Sequence, residues 1–457
     1  MQKSLLYKMI AIVGLTILIC IPLALIQATI GSRMAFRDQA VASIAADSVG
    51  EQTLIGPVLV IRYKEEYEEE VQTINAGVRK VELAKRSANR RHLVFPNELR
   101  VAGAIDTDRR YRGIHQVLVY TGQHAFSGDF ALPAAADLPH VQANSRITPG
   151  RPYVALGIGD VRGIRNIPTI KWDGKDFEFQ QGTGIAAYTS GLHAEVDVPD
   201  LSRPANVRFS FDLGLDGIER QAFAPVGKNN VVSLKSNWAH PQFGGRFLPS
   251  PKNRTIGERG FAATWNISSL ATGTQQQIAR LDAAAEEKPS RAIDQFSVGF
   301  IEPVNVYSMA DRAIKYGILF VALTFAAFFV FEILKRLPIH PVQYLLVGLA
   351  LALFFLLLVA LSEHIAFLAA YLVASAACIA LIGFYLSSVL RDWRRGFGFG
   401  AALTLLYSAL YGLLISENNA LVLGSLLLFA VLAAIMVVTR KVDWYQAGRT
   451  EPAAPPA

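Results

Sequence analysis

The sequence of 457 residues has only two cysteines, Cys20 and Cys378, and both lie within long apolar segments. The stretch between these segments, residues 31–312, has no cysteine, so it must fold without disulfide bonds or a thiolate metal site. Its six histidines have no metal-binding spacing. The chain also lacks a Gly-x-Ser-x-Gly elbow and a Gly-Lys-Ser/Thr phosphate loop. These absences disfavour an enzyme, and we expect no catalytic residues, no metal and no cofactor.

Charged residues are missing from five apolar segments near the C-terminus. They are Tyr316–Phe331, Val342–Leu361, Ile365–Leu390, Phe397–Ile415 and Ala420–Thr439. A helix of about 20 apolar residues crosses the hydrocarbon core of a bilayer, and four segments meet that length. The first is shorter, and we expect Glu332 and Lys335 to snorkel so that its helix reaches Leu334. The segments predict five transmembrane helices, and their lack of ionisable residues disfavours a transporter.

The loops between these segments alternate in charge, which predicts their orientation. Basic residues follow the first, third and fifth segments, whereas the loops after the second and fourth have no Lys or Arg. The excess of Lys and Arg in cytoplasmic loops places the basic loops in the cytoplasm. Trp393, Trp444 and Tyr445 occupy positions typical of interfacial aromatic residues.

A sixth apolar segment, Met9–Ile30, follows Lys3 and Lys8 at the N-terminus. One interpretation is a cleaved signal peptide, but such a peptide has a shorter apolar stretch and a small-x-small cleavage site. We favour an uncleaved anchor that continues into a helix over Ser32–Val49. With the lysines inside, both termini are cytoplasmic and the protein has six spans in the inner membrane.

These segments predict an α+β membrane protein with a large exported β-domain between helices 1 and 2. The expected parts are residues 1–30 (cytoplasmic end and first span), residues 31–312 (a periplasmic domain), residues 313–441 (a five-helix bundle) and residues 442–457 (a disordered cytoplasmic tail). The net charge is +7 for the whole chain but only +2 for residues 31–312, which hold 33 basic and 31 acidic residues. Most of the excess therefore reflects membrane topology, and no nucleic-acid partner is expected.

Strand patterns dominate the exported segment. The apolar residues of Val207–Leu215 alternate with polar or small residues, as in a strand with one buried face. Asp173-Gly174 predicts a hairpin, and Asp216-Gly217 predicts a turn after the alternating strand. Many short strands with Gly and Asp turns predict a mostly antiparallel, sandwich-like domain. The acidic Glu65–Glu70 and the basic Val81–Arg91 predict a solvated loop or an exposed hairpin.

One segment, Ser236–Pro249, combines aromatic residues, a histidine, two glycines and two prolines. Functional residues concentrate on loops that a scaffold holds in place, so this segment could bind a ligand or partner. The candidate binding residues are Trp238, His240, Phe243 and Arg246. The alternative is a rigid packed turn in which Trp238 and Phe243 fill the core.

The same segment carries a resemblance to a known family. Ser236-Asn237-Trp238, His240-Pro241 and Phe243-Gly244-Gly245 resemble the CreD family of bacterial inner-membrane proteins. Further similarities are Pro225-Val226-Gly227-Lys228, Phe261 to Trp265, Pro303-Val304 with Tyr307, Arg312-Ala313 with Lys315-Tyr316, Leu319-Phe320 to Phe331-Glu332, Lys8 with the following span, and Leu54-Ile55-Gly56-Pro57. The resemblance implies a role in cell-envelope integrity, control by a two-component system, and a link to envelope stress and the β-lactam response. It implies no established enzymatic activity.

Two hypotheses for the function follow. The first is a non-enzymatic membrane protein that supports or monitors the envelope, with the lipid bilayer as its partner. The second is a binding module whose exported domain holds an envelope glycan or an envelope protein and signals through the bundle. A deep polar cleft that converges on Trp238 and His240 would favour the second hypothesis.

Overall fold

The computed structural model describes residues 2–75, 78–113, 115–140, 142, 145–198, 201–283, 293–300, 302, 306–335, 339–389, 393–416 and 420–440. In these residues the chain forms eight α-helices and seventeen β-strands. It separates into a helical unit, Met1–Asp38 with Val304–Ala457, and a β unit, Gln39–Pro303. The α+β class expected from the sequence is confirmed. The tail predicted to be disordered, residues 442–457, lies outside the described residues.

The described helices are α1 (Gln2–Asp47), α2 (Thr274–Ala283), α3 (Val306–Lys315), α4 (Gly317–Lys335), α5 (Pro341–Ser362), α6 (Phe367–Val389), α7 (Trp393–Ile415) and α8 (Ala420–Thr439). Six of these helices follow the apolar segments of the sequence, and α2 and α3 lie outside those segments. Helix α1 is one continuous helix of 46 residues that includes Pro22. The prediction that a helix continues from the anchor is therefore confirmed, and the helix ends at Asp47.

Four described helices, α1, α5, α6 and α7, are long and apolar enough to cross a membrane. The pair α3 and α4 forms a fifth if it counts as one span, because the two helices meet at a bend of 43°. The described apolar part of α8, Val422–Val437, is shorter. The helical unit packs around large buried side chains such as Phe325, Phe328, Tyr344 and Phe354.

Residues 52–300 of the β unit supply the strands. They are β1 (Gln52–Asn75), β2 (Val78–Val94), β3 (Glu98–Arg112), β4 (His115–Leu132), β5 (Arg146–Pro149), β6 (Tyr153–Ile158), β7 (Thr169–Trp172), β8 (Lys175–Glu178), β9 (Gln180–Gln181), β10 (Gly191–Glu195), β11 (Ala205–Ile218), β12 (Arg220–Ala224), β13 (Asn229–Ser236), β14 (Pro241–Gly245), β15 (Arg254–Gly257), β16 (Gly260–Ser268) and β17 (Phe296–Phe300).

Two sheets share one apolar core. The nine-stranded sheet has the order β14-β17-β12-β1-β6-β10-β9, with β2 and β5 also paired to β1, and the eight-stranded sheet has the order β15-β16-β13-β3-β4-β11-β7-β8. Both are mixed, because β1 pairs with β12 and β13 pairs with β3 in parallel, while the other described pairs are antiparallel. Val58 and Val154 of the first sheet join Phe126 and Phe211 of the second in the core. The rings of Phe126 and Phe211 stack with their centroids 4.6 Å apart.

Three sequence-based assignments are wrong in detail. The chain does not turn at Asp216-Gly217, because β11 continues to Ile218 and the left-handed residue is Glu219, with φ of 50°. Part of the predicted binding loop is a strand, since β14 pairs with β17 through five residues. The sequence of Phe296–Val306 predicts a closing strand, but β17 ends at Phe300 and α3 begins at Val306.

Apart from Glu65, which is fully buried and paired with Arg90, the acidic and basic stretches form an exposed hairpin, as predicted. β1 pairs with β2 from Leu59 opposite Val94 to Asn75 opposite Val78. In the outer part of this hairpin the acidic strand lies beside the basic one, and Glu69 accepts a hydrogen bond from Arg86 at 3.2 Å. Charged residues along the exposed edges of a two-stranded hairpin discourage its pairing with strands of other molecules.

Candidate functional site

The turn after β13 is held against the end of β3. The parallel pairing of these strands brings Ser236 opposite Ile105, so the following residues lie beside Thr107 and Arg109. The side-chain oxygen of Asn237 accepts hydrogen bonds from the Thr107 amide at 3.0 Å and from its hydroxyl at 2.8 Å. The start of the predicted binding segment is therefore fixed to the neighbouring strand.

Trp238 and His240 lie together at this end of the β unit. The indole N–H of Trp238 donates to the backbone carbonyl of His240 at 3.1 Å, and the two rings meet edge to face. The guanidinium of Arg109 lies 5.7 Å from the centre of the indole, a cation–π arrangement. Trp238 is half-buried and His240 is exposed. The two residues form a braced polar and aromatic surface.

The other two predicted residues lie elsewhere. Phe243 packs edge to face on Phe261 at 5.7 Å and on Trp265 at 5.6 Å, at the margin of the core. Arg246 follows the far end of β14, about 20 Å from His240 at the rise of a strand residue. The structure thus brings Trp238 and His240 together but separates them from Arg246. A common binding role for the four residues stays a prediction.

Arg246 forms an ion pair with Asp294, at 3.1 Å between nitrogen and oxygen. Asp294 also accepts hydrogen bonds from Gln277, Thr272 and the amide of Gly273. Burial raises the pKa of Asp294, but these hydrogen bonds and the charge of Arg246 outweigh it and hold that pKa below its usual value. These contacts join the segment just before β17 to the start of α2, and their role is to stabilise the fold.

Neither of two grooves on the β unit involves Trp238 or His240. One groove, of about 600 Å³, is lined by residues that include Arg151 and Asp197. The other, of about 450 Å³, lies over the middle of the eight-stranded sheet near Gln123 and Lys235. Among the residues that the structure describes, no group of three His, Cys, Asp or Glu side chains could hold a metal ion.

A network of contacts that sequence reasoning missed surrounds the end of β3. Arg109 lies 3.3 Å from the carboxylate of Glu302, and Gln116 donates to the same carboxylate at 2.7 Å. Arg112 forms an ion pair with Asp47 at the end of α1. These partners are far apart in sequence, and only the strand pairing brings them together.

Among its described residues, the helical unit contains two carboxylates that are largely buried. Glu332, which is 6% exposed, forms an ion pair with Lys8 and accepts a hydrogen bond from the Tyr344 hydroxyl at 2.9 Å. The backbone amide of Ile339 donates to it as well, at 3.2 Å. Glu332 is therefore engaged within the bundle and does not snorkel, whereas the expected extension of the helix to Leu334 is confirmed, because α4 ends at Lys335. Burial costs a lone carboxylate much of its hydration, and the lysine on α1 compensates that loss.

Glu363 repeats this arrangement just beyond the apolar part of α1. Its carboxylate lies 3.4 Å from the guanidinium of Arg33 and accepts a hydrogen bond from the Tyr307 hydroxyl at 3.2 Å. Lys8 and Arg33 are separated by about 37 Å along the helix axis at 1.5 Å per residue. This is slightly more than the roughly 30 Å hydrocarbon core of a bilayer. The spacing of the two ion pairs therefore suits the two borders of a membrane.

Comparison with known proteins identifies a family for this chain of apolar helices and a large β unit. The family model described as inner membrane protein CreD matches residues 4–445. The chain belongs to the CreD family. The resemblance seen in the sequence is thereby confirmed over nearly the whole chain. The inner membrane protein CreD of Escherichia coli K12 is 36% identical over 450 residues, which cover 97% of this chain and 95% of that protein. This CreD-family chain is an inner-membrane protein with membrane-embedded helices.

Proposed function

We propose that this chain is a non-enzymatic integral protein of the inner membrane that supports or monitors cell-envelope integrity. Six helices cross the bilayer, both termini are cytoplasmic, and residues 31–312 are periplasmic. Membership of the CreD family supports the membrane location. The chain order supports the architecture, because the β unit is inserted between Asp38 and Val304 of the helical unit.

The observation that carries this proposal is the engagement of both buried carboxylates. Glu332 and Glu363 are each bound by a cation of α1 and by a tyrosine hydroxyl. A transport or proton-relay residue must change its protonation or its partner during the cycle. A carboxylate held by a basic side chain and a tyrosine serves to fix helices in place. The same arrangement supports a structural or sensing protein over a transporter.

The role in envelope integrity predicts a phenotype for loss of the gene. Expression of this chain should restore growth under envelope stress, including exposure to a β-lactam, in a strain that lacks its own CreD-family protein. A variant without residues 39–303 should insert into the membrane but fail to restore growth. Equal stress resistance of the strain with and without the full chain would contradict the proposed function.

The six-span topology predicts the sides of the loops. A reporter that is active only outside the cytoplasm should work when fused after Gly150, Glu363 or Asn419. It should be silent when fused after Arg336, Arg395 or Tyr445. The charge alternation of the loops is the physical reason. Reporter activity after Arg395 would show that the six-span arrangement is wrong.

A second candidate function is a binding module for an envelope glycan or an envelope protein. The observation that favours it is the braced pair of Trp238 and His240 at one end of the β unit. Crosslinking of the intact protein in cells, followed by identification of what is attached to the β unit, tests this candidate. Replacement of His240 by Ala should reduce a specific crosslink without lowering the melting temperature. Replacement of Arg246 by Ala tests whether the separated fourth residue takes part.

A further inference from the structure

A groove of about 600 Å³ lies where three segments of the β unit meet. It is lined by residues 149–152, which lead from β5 to β6, by residues 196–198 after β10, and by residues 201–202 together with Ala135. Ligand sites in proteins are commonly concave, with volumes of about 300–1,000 Å³ and a few polar groups within apolar walls. The size and the mixed lining of this groove therefore suit a small ligand or one unit of a longer ligand.

Main-chain hydrogen bonds hold the walls of the groove together. The amide of Val196 donates to the carbonyl of Pro152 at 3.1 Å, which joins the segment after β10 to the segment before β6. The amide of Ala135 donates to the carbonyl of Leu201 at 2.8 Å. The fold itself therefore forms the groove, so a ligand binds there without the cost of ordering its walls.

Charged side chains of alternating sign lie along one wall of the groove and beside it. Arg151 lies 3.4 Å from Glu195 and 3.6 Å from Asp197, and Asp197 lies 3.7 Å from Lys175. Arg62 lies 3.7 Å from the other carboxylate oxygen of Glu195. Of the two charged residues that line the groove, the side chain of Arg151 is 62% exposed and that of Asp197 is 55% exposed. Such solvated ion pairs hold their partners weakly, so both side chains can bind a ligand.

The balance of these charges decides the chemical class of the ligand. The bases and the acids of this wall alternate, so neither an anion nor a cation meets a surface of one sign. A sugar hydroxyl both donates and accepts hydrogen bonds, and neighbouring hydroxyls can therefore bind a guanidinium and a carboxylate side by side. The lining also includes Pro149 and Val198, whose apolar surface suits the C–H groups of a sugar ring.

We propose that this groove binds a neutral saccharide unit of an envelope glycan, with Arg151 and Asp197 as the hydrogen-bonding side chains. The proposal rests on the second candidate function, which is the binding of an envelope glycan or protein, and it places the sugar in the groove. The groove has no lining residue in common with the turn at Trp238 and His240. The two places can therefore be tested separately.

The test uses the full chain in nanodiscs of phosphatidylethanolamine and phosphatidylglycerol, because detergents with sugar headgroups would compete for the groove. Saturation-transfer NMR measures the binding of chitotetraose, a neutral oligosaccharide. Arg151→Ala and Asp197→Asn should each weaken this binding by roughly tenfold or more, since each removes hydrogen bonds to a charged group. Arg100→Ala is the matched control, because Arg100 is 66% exposed, pairs with Glu98 at 2.8 Å and does not line the groove. All three variants should keep the melting temperature, because exposed ion pairs contribute little to stability.

Three results would overturn the proposal in distinguishable ways. Equal binding of chitotetraose by Arg151→Ala, Asp197→Asn and the natural chain would exclude the groove as the site and leave glycan binding elsewhere on the chain. No binding by the natural chain would overturn both the groove and the glycan form of the second candidate function. Tighter binding of the anionic tetragalacturonate than of chitotetraose would overturn the assignment to a neutral saccharide.

Discussion

His124 illustrates how single residues shape the β unit. The histidine is 1% exposed in the core and lies beside two glycines of the same sheet. A Cβ atom on Gly122 would clash with the imidazole, and one on Gly103 would lie 3.0 Å from it. Burial lowers the pKa of His124 to about 4, so the folded protein holds it neutral at physiological pH. The two glycines provide the room that the ring needs.

The buried histidine predicts a loss of stability in acid. The unfolded chain binds a proton near the ordinary pKa of 6.5, whereas the folded state binds it only near 4. The free energy of unfolding should therefore be unaffected by this group above pH 6.5 and fall as the pH is lowered to 4. The total effect is about 3 kcal/mol from the shift in pKa. Thermal unfolding of the full chain at several pH values measures it.

The variant His124→Leu should lose this part of the pH dependence, although it also changes the packing. The exposed His240→Gln serves as the control and should keep the acid sensitivity of the natural chain. An identical slope of stability against pH in His124→Leu and the natural chain would contradict the assignment.

At the scale of elements, β11 shows why a turn signal can fail. Asp216-Gly217 has the composition of a tight turn, yet β11 continues through it and pairs with β4 as far as Val119. Gly217 is needed for close approach, because a Cβ atom there would lie only 2.5 Å from a ring carbon of Tyr120. The Tyr120 hydroxyl donates to Gln221 at 2.9 Å, in the fully buried part of the core. The glycine therefore makes space for an aromatic side chain.

Gly217→Ala should therefore destabilise the β unit. Overpacking a core commonly costs about 1–3 kcal/mol, and Tyr120 would have to move to admit the methyl group. The control is Gly257→Ala, because a Cβ atom at that glycine would meet open space. Denaturant unfolding followed by tryptophan fluorescence compares the two variants. Equal stability of both variants would show that the site around Tyr120 is looser than the contacts indicate.

The helical unit is assembled at the scale of the whole molecule. Its first helix precedes the β unit in the chain, and its other helices follow that unit. Lys8 and Arg33 on α1 each bind a carboxylate from the C-terminal part, and these two ion pairs fix the register of α1 against it. The end of α1 is secured separately within the β unit, where Arg162 donates to the backbone carbonyls of Ala45 and Ala46. Positive charge at the end of a helix also interacts favourably with its dipole.

Reversal of one charge in the Lys8–Glu332 pair should destabilise the helical unit strongly. Breaking a buried ion pair typically costs about 3–5 kcal/mol, because the remaining charge is left without compensation. Lys8→Glu and Glu332→Lys should each lower the melting temperature in detergent, and the double variant should recover part of the loss. Lys315→Glu breaks the more exposed pair with Asp311 in α3 and should change little. A double variant no more stable than either single variant would contradict the pairing.

The sequence by itself determined the parts of this protein that depend on local pattern. Apolar segments without charge predicted the helices, because a bilayer core admits such helices and excludes charge. Alternation predicted β11, and the Asp173-Gly174 turn was correctly placed between β7 and β8. The resemblance to the CreD family was likewise visible in the sequence and is confirmed over nearly the whole chain.

Only the tertiary structure decided which distant residues meet. The parallel pairing of β13 with β3 places Trp238 under Arg109, and the bundle places Lys8 beside Glu332. Neither contact has a signal in a single sequence, because pairing register and helix packing depend on many residues far apart in the chain. For the same reason the structure separates Arg246 from Trp238, although eight positions separate them in the sequence. A strand between them carries the chain to the opposite end of the sheet.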